Sequence, residues 1–145
     1  MWIKYTLQIN YIIMKKWFFG NIEALTLDNT NFRKVLYTGN NLQLVVMSVN
    51  VGEDIWMEIH PDHDQFLRFE SGKGKVTINE TEYQVGAEDV VVVPAWAKHN
   101  VENIWQNALK LYTVYGPAHH EEGTIHVDKK QAEENDEDFD GITTE

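Results

Sequence analysis

The middle of the chain alternates between apolar and polar positions with a period of two, which is the pattern of half-buried β-strands. The runs are short, and turn residues such as Gly39, Gly72 and Pro94 separate them. Many short strands without helical patterns between them favour an antiparallel sandwich or small barrel over a parallel sheet. The runs predicted as strands are 32–37, 42–51, 56–60, 65–69, 75–78, 82–85, 89–93, 99–102 and 109–115.

The two ends of the chain lack this strand pattern. Residues 1–20 are predicted as an N-terminal extension, either one extra strand or a leader, and residues 21–127 as the domain. Residues 128–145 form an acidic tail, of which 133–145 carries seven acidic residues and no basic one. Such a stretch cannot bury enough apolar surface to offset the entropy of ordering it. We expect the tail to be disordered and dispensable.

Composition narrows the class of protein. The chain has 145 residues, of which 43% are hydrophobic and 24% charged, as expected for one soluble domain. Its formal net charge of -11 repels phosphate backbones and anionic lipids, so we expect neither nucleic acid nor a membrane as a partner. The absence of cysteine excludes disulfides and thiolate metal sites. A cytoplasmic location fits this composition best.

Side chains that can bind a metal gather around one turn. In the run 56–60, alternation puts Trp56, Glu58 and His60 on one face, with Trp56 as core or pocket wall. After the turn the chain returns, and Gln65 enters the next strand beside His60. The carboxylate, imidazole and amide can therefore aim at one point. A buried glutamate beside histidine would be costly without a cation or hydrogen bonds, which favours a metal or polar site.

This region resembles the first of two motifs of the cupin family. That motif is a glycine, five residues, His-x-His, three or four residues, Glu, six residues and a glycine. Here the same spacing runs through Gly52, Glu58, His60, Gln65 and Gly72. Glu replaces the first histidine and Gln replaces the glutamate, and both substitutions keep an oxygen ligand available.

A later stretch resembles the second cupin motif, which is a glycine, five residues, Pro-x-Gly, two residues, His, three residues and Asn. Gly86, Pro94, Trp96, His99 and Asn103 occupy these positions. Two extra residues precede the proline, and Trp96 stands where a turn glycine is usual. Because two motifs occur in order, the resemblance is a strong indication of fold.

The resemblance covers residues 42–115 and implies an all-β fold, the antiparallel jelly-roll barrel or double-stranded β-helix, with a metal inside. Carried over residue by residue, it makes Glu58, His60, Gln65 and His99 the ligands of one divalent transition metal. Two imidazoles with a carboxylate and an amide oxygen suit Fe, Mn, Ni or Zn, and ligand type does not choose among them. The resemblance is closest to small mannose-6-phosphate isomerase-like cupins, and it implies a homodimer.

The resemblance also implies a small-molecule pocket inside the barrel, although the fold alone does not fix a reaction. It favours a metal-dependent enzyme of isomerase or dioxygenase type that acts on a sugar-like or oxygenated metabolite. Glu58 could then be the catalytic base, which would leave His60, Gln65 and His99 as ligands with open positions for substrate. The alternative is a non-catalytic binding or sensor module, because an amide is a weaker metal donor than a carboxylate.

Several residues outside the motif positions remain candidates. His63 and Asp64 are competing ligands, but we expect their turn to be exposed to solvent. Residues 116–126 contain three further histidines and form either a polar surface loop or part of the barrel mouth. Trp96 is a candidate for the rim of the cavity near His99.

Overall fold

The computed structural model describes residues 17–145, so most of the predicted N-terminal extension, residues 1–16, lies outside the described residues. The described elements in chain order are α1 (Ile22–Asp28), β1 (Arg33–Thr38), β2 (Gln43–Val49), β3 (Asp64–Ser71), β4 (Lys73–Ile78), β5 (Thr81–Gly86), β6 (Val90–Val93), β7 (His99–Asn103), β8 (Leu109–Gly116), β9 (Ile125–His126) and α2 (Lys129–Glu134).

The strands form two antiparallel sheets that face each other as a jelly-roll barrel. One sheet has six strands in the order β6-β3-β8-β2-β1-β9, and the other has three in the order β5-β4-β7. The all-β jelly-roll prediction is confirmed. The apolar, alternating positions of β2, β3 and β8 enter the core, where a fully buried large side chain contributes about 1.5–3 kcal/mol. Central members of this core are Val45, Met47, Val49, Leu67, Phe69, Val76, Val101, Leu109 and Leu111.

The interior of the barrel changes from apolar to polar along its central strands. On β3 the buried positions are Gln65, Leu67 and Phe69, and on the neighbouring β8 they include Leu111 and then Thr113. Because β3 and β8 are antiparallel, Gln65 and Thr113 lie toward the same end. That end of the barrel therefore holds buried polar groups, while the other end holds the apolar core.

One predicted strand is wrong. Residues 56–60 are not a regular strand, because Trp56 has a φ of 67°, in the left-handed region that interrupts extended backbone. The segment instead touches β7 through an isolated bridge between Glu58 and His99. The helix α1 was also not predicted. Asn21 caps it by accepting a hydrogen bond from Ala24 N at 2.9 Å.

The turn positions of both motifs keep the backbone that glycine favours. Gly72 has a φ of 93°, and a Cβ there would lie 2.7 Å from the carbonyl oxygen of Ala108, so a larger residue would clash. Trp96, at the usual glycine position of the second motif, has a φ of 73° and is 72% exposed. The side chain has changed from the family pattern, but the turn conformation has not.

The C-terminal segment, residues 128–145, differs from the expected disordered tail. It begins with α2, whose Ala132 is buried in the core. Farther along, Phe139 N donates to the main chain of the loop that follows β8, at 3.0 Å. Thr144 then exchanges two hydrogen bonds of 2.8 Å with Thr38 on β1. The segment is thus attached to the barrel at its beginning, middle and end.

The order of this acidic segment follows from the partners that the barrel supplies. The Glu137 carboxylate lies 2.7 Å from His120 Nδ1 and accepts a hydrogen bond of 2.7 Å from Glu121 N. At the start of α2, Lys129 pairs with Asp54. Composition reflects the repulsion among the acidic residues but not their attraction to these partners. The expectation of a disordered tail is therefore corrected.

Among residues 17–145, no helix has the length and apolar character that crossing a membrane requires.

Candidate metal centre

The backbone places Glu58 opposite His99. Glu58 N donates to His99 O at 2.8 Å, and His99 N donates to Glu58 O at 2.9 Å. Residues that exchange both main-chain hydrogen bonds across an antiparallel pair carry their side chains on the same face. This bridge therefore brings together one predicted ligand from each motif, although 41 positions separate them in the sequence.

His60 lies beside this pair and is held by the turn of the second motif. Its carbonyl oxygen accepts a hydrogen bond from Trp96 N at 2.8 Å. Its Nε2 lies 3.1 Å from Glu58 Oε2, yet the two atoms do not form a hydrogen bond, so this buried nitrogen has no hydrogen-bond partner. The ring centres of His60 and His99 are 5.0 Å apart.

The His99 ring is oriented by a main-chain contact. His99 is 1% exposed, and its Nδ1 lies 2.9 Å from Ala97 O, which can only accept a hydrogen bond. Burial lowers the pKa of His99, so the ring is neutral and its proton is on Nδ1. The lone pair on Nε2 then points into the site. This is the usual arrangement of a metal-binding histidine whose other nitrogen donates to a carbonyl.

Gln65 joins the site through His99. Its Oε1 lies 3.0 Å from His99 Nε2, and its Nε2 donates to Thr113 Oγ1 at 3.1 Å. With the proton of His99 on Nδ1, Gln65 Oε1 and His99 Nε2 are both acceptors, and one cation beside the two atoms would bind both. The structure thus gathers the four predicted residues, with Gln65 positioned against His99.

A divalent cation fits this group. One ligand atom each of Glu58, His60 and His99 lies within 4.8 Å of the other two. Burial raises the pKa of Glu58, but His60, Arg33 and His119 together lower it by more, so the carboxyl pKa lies below its ordinary value. The site therefore offers one carboxylate and two imidazoles, a donor set that suits divalent transition metals.

His63 is a correction to the sequence analysis. The turn was expected to expose it, but His63 is 6% exposed because its ring stacks on His60, with ring centres 4.5 Å apart. Its Nδ1 lies 3.2 Å from Asp62 Oδ1, and its Nε2 is buried without a hydrogen-bond partner. The other competing candidate, Asp64, accepts a hydrogen bond from Ala95 N at 2.8 Å.

His119 completes a second group of imidazoles, which the motif spacing did not predict. Its ring centre lies 4.5 Å from that of His60 and 4.7 Å from that of His63. Burial and, to a smaller extent, nearby His120 lower the pKa of His119 to about 3, so the ring is neutral. The sequence signal was the cluster of histidines directly after the last long strand.

A cavity of about 500 Å³ opens beside these side chains. Glu58, His60 and His119 line it together with Arg33 from β1. Trp56 is also part of its wall and packs edge-to-face on Phe32, which agrees with the core or pocket-wall expectation. The C-terminal segment closes another side of the cavity with Ala132, Glu133, Asn135, Asp136, Glu137 and Asp138.

Comparison with known proteins agrees with the fold described above. A family model described as a cupin domain matches residues 45–115. The uncharacterized protein YrkC of Bacillus subtilis strain 168 is 42% identical over 121 aligned positions, and the match covers 79% of this chain and 65% of YrkC. The chain therefore spans less than two thirds of the length of that relative.

Solved structures give the same picture. The crystal structure of BH2720 from Bacillus halodurans superimposes with a TM-score of 0.80 at 42% identity, covering 81% of this chain and 94% of that one. An RmlC-like cupin from Shewanella frigidimarina has a TM-score of 0.55 at 21% identity and covers 59% and 75% of the two chains. The second likeness concerns the fold alone.

Proposed function

The chain belongs to the cupin family, and on that premise we propose that it binds one divalent transition metal through Glu58, His60 and His99. The observation that carries this proposal is the main-chain pairing of Glu58 with His99, beside the unpartnered Nε2 of His60. A half-buried carboxylate beside two buried imidazoles is costly without a cation or hydrogen bonds to compensate it. Gln65 orients His99 and supplies an amide oxygen as a further donor.

The proposed ligand of the cavity is a sugar-like or otherwise oxygenated small molecule. A bound divalent cation would supply Lewis-acid polarisation of a carbonyl or hydroxyl oxygen. Glu58 is ionised at neutral pH and lines the cavity, so it can also accept a proton from a bound molecule. Arg33, on β1, also lines the cavity and offers hydrogen-bond donors to a bound molecule. These groups support an enzyme of isomerase or dioxygenase type, and the mannose-6-phosphate isomerase-like subtype remains part of this proposal.

A non-catalytic binding or sensor module is the second candidate. Gln65 supports it, because a neutral amide, whose Nε2 donates to Thr113 Oγ1, stands where the family motif has a carboxylate. A screen of sugars, sugar acids and diketones with the metal-loaded protein separates the two. Turnover of any compound supports the enzyme, whereas tight binding without turnover supports the binding module.

Metal binding is tested with Mn²⁺, which prefers sites that contain a carboxylate. Protein purified without chelator or histidine tag is expected to carry about one transition metal per chain. The His99→Gln and Glu58→Gln variants should each weaken Mn²⁺ binding by about tenfold or more, because each removes one of the donors. The His126→Gln variant is the control. Unchanged Mn²⁺ affinity in folded His99→Gln protein would contradict the proposal.

We also propose that the protein is a homodimer. The support is the outer strand β6 of the six-stranded sheet, on which Val90 and Val92 are exposed, Val92 by 61%. An exposed apolar edge strand is a ready surface for pairing. Light scattering should give the mass of two chains for the unaltered protein and of one chain for the Val92→Lys variant. A monomeric unaltered protein would contradict the proposal.

A further inference from the structure

We propose that His60, His63 and His119 form a second transition-metal site, built from three imidazoles. His60 is shared with the carboxylate-containing site, whereas His63 and His119 occupy none of the motif positions. One ligand atom of each residue lies within 4.8 Å of the other two. The proposal concerns cation binding by these three rings and does not depend on a reaction.

The three rings converge from separate parts of the chain. His60 and His63 lie on either side of the turn that leads into β3, and His119 lies in the loop after β8. The ring centres of His60 and His63 are 4.5 Å apart with an interplanar angle of 29°, and that of His119 is 4.5 Å and 4.7 Å from them. Polar rings are thus packed where an apolar core would place aliphatic side chains.

An ion-pair contact with Asp62 favours one tautomer of the His63 ring. Asp62 Oδ1 lies 3.2 Å from His63 Nδ1, and a carboxylate favours the proton on the nitrogen that faces it. Nε2 then carries the lone pair, and it is buried without a hydrogen-bond partner. A carboxylate that accepts from the second nitrogen of a histidine is the common support of a metal-binding imidazole.

His119 is held in place through its main chain. Its N–H donates to Gln43 Oε1 at 3.2 Å, and its carbonyl accepts from Phe139 N at 3.0 Å. Burial keeps the ring neutral, since the pKa of His119 is lowered to about 3. A neutral ring is the form that binds a metal. The loop and the C-terminal segment therefore present an imidazole that is ready to bind.

The two sites differ in the cations that they favour. Three imidazoles without a carboxylate suit Cu²⁺, Ni²⁺ and Zn²⁺ better than Mn²⁺. Glu58 and His99 bring a carboxylate and therefore suit Mn²⁺ as well. Because His60 belongs to both groups, a cation in one site competes with a cation in the other for this residue.

The test uses full-length protein that has been treated with chelator, desalted and then titrated with Cu²⁺. Isothermal titration calorimetry measures the affinity, and electron paramagnetic resonance reports the ligands of the bound Cu²⁺. In the unaltered protein the spectrum should show nitrogen ligands. The double variant E58Q/H99Q removes donors of the first site and should still bind Cu²⁺ with the nitrogen pattern. The double variant H63Q/H119Q should bind Cu²⁺ about tenfold more weakly or worse than the H126Q control.

Mn²⁺ separates this proposal from the proposed function. In H63Q/H119Q the affinity for Mn²⁺ should change by less than about threefold, because the carboxylate-containing site is intact. Loss of Mn²⁺ binding in E58Q/H99Q with retained Cu²⁺ binding supports both proposals. Unchanged Cu²⁺ affinity in folded H63Q/H119Q overturns the three-imidazole site while leaving the first site standing.

A measurement without substitutions covers the case in which a double variant fails to fold. Zn²⁺ added to protein with ¹⁵N-labelled histidine should shift the ring nitrogen resonances of His63 and His119. The His126 resonances serve as the internal control. A spectrum in which His99 shifts while His63 and His119 do not would overturn the proposal.

Discussion

The site has a strand-built part, which contains Glu58 and His99, and a C-terminal part, which contains His119 and the segment packed against it. The two parts hold their histidines by different means. His99 lies on β7, and its main chain exchanges two hydrogen bonds with Glu58 in an isolated bridge. His119 lies in a loop, and its main chain is held by the Gln43 side chain and by Phe139 of the C-terminal segment. The bridge fixes His99 directly against Glu58. The loop that contains His119 depends instead on side-chain contacts and on a segment that folds against it.

This difference explains where composition is a poor guide. In the strand-built part, alternation and motif spacing report backbone geometry, and they remain valid although two of the usual ligands are replaced. In the C-terminal part, order comes from single contacts such as His120 with Glu137, 17 positions apart. Four experiments test whether the two parts are as distinct as this comparison indicates.

Removal of the C-terminal segment by truncation after Val127 should have the largest effect. The truncated chain loses the buried Ala132, the bond from Phe139 to the loop and both bonds between Thr144 and Thr38. At about 1 kcal/mol for each hydrogen bond, the unfolding free energy should fall by about 3 kcal/mol or more. Urea denaturation measures it. An unchanged midpoint would restore the disordered-tail interpretation.

The Gln43→Leu variant should come next, because it leaves the barrel strands intact and releases the histidine loop. Gln43 is fully buried, and its amide bonds the N–H groups of His119 and His120, the carbonyl of His120, and Thr38. Buried groups left unpaired cost about 1–3 kcal/mol. We expect a loss of about 3 kcal/mol, whereas Gln84→Leu on the outer strand β5 should be nearly neutral. Equal effects would contradict the role assigned to Gln43.

Acidification should destabilise the metal-free protein through His119. Its pKa is about 3 in the folded chain and 6.5 as the reference value, so below pH 6.5 the unfolded chain takes up a proton that the folded chain does not. The contribution of His119 to the free energy of unfolding is fully present above pH 6.5. It decreases as the pH falls toward 3, by up to about 1.4 kcal/mol per pH unit. Thermal melts between pH 7 and 5.5 measure it. His119→Asn protein should have a shallower pH dependence, and an equal one would contradict this assignment.

The smallest effect belongs to the strand-built part. Trp96→Gly should leave stability within about 1 kcal/mol of the unaltered protein and raise it if anything, because glycine favours a φ of 73° and the exposed indole loses little packing. Trp105→Gly is the control at a site without a positive φ. A large loss in Trp96→Gly would show that the indole makes contacts that stabilise the site.

The sequence predicted the barrel and most of its strands through period-two alternation. It predicted the convergence of Glu58, His60, Gln65 and His99 through motif spacing, although residues 56–60 are not the strand that alternation predicted. It did not predict the break at Trp56, because a positive φ in a tryptophan has no signature in hydropathy. It also misjudged the turn of His63. A polar turn is usually exposed, and this one is covered by a loop from the far end of the chain, which no local pattern encodes.

In the Glu58–His99 bridge, the spacing of the two ligand positions does not depend on which side chains occupy them. The N–H···O bonds that set this spacing belong to the main chain, so the side chain at either position can be exchanged without loss of register. A Glu58→His replacement, for example, would turn a set of one carboxylate and two imidazoles into three imidazoles at the same depth in the barrel. Metal preference is therefore a property that a protein engineer, or natural variation, could alter by a single codon while the scaffold stays constant.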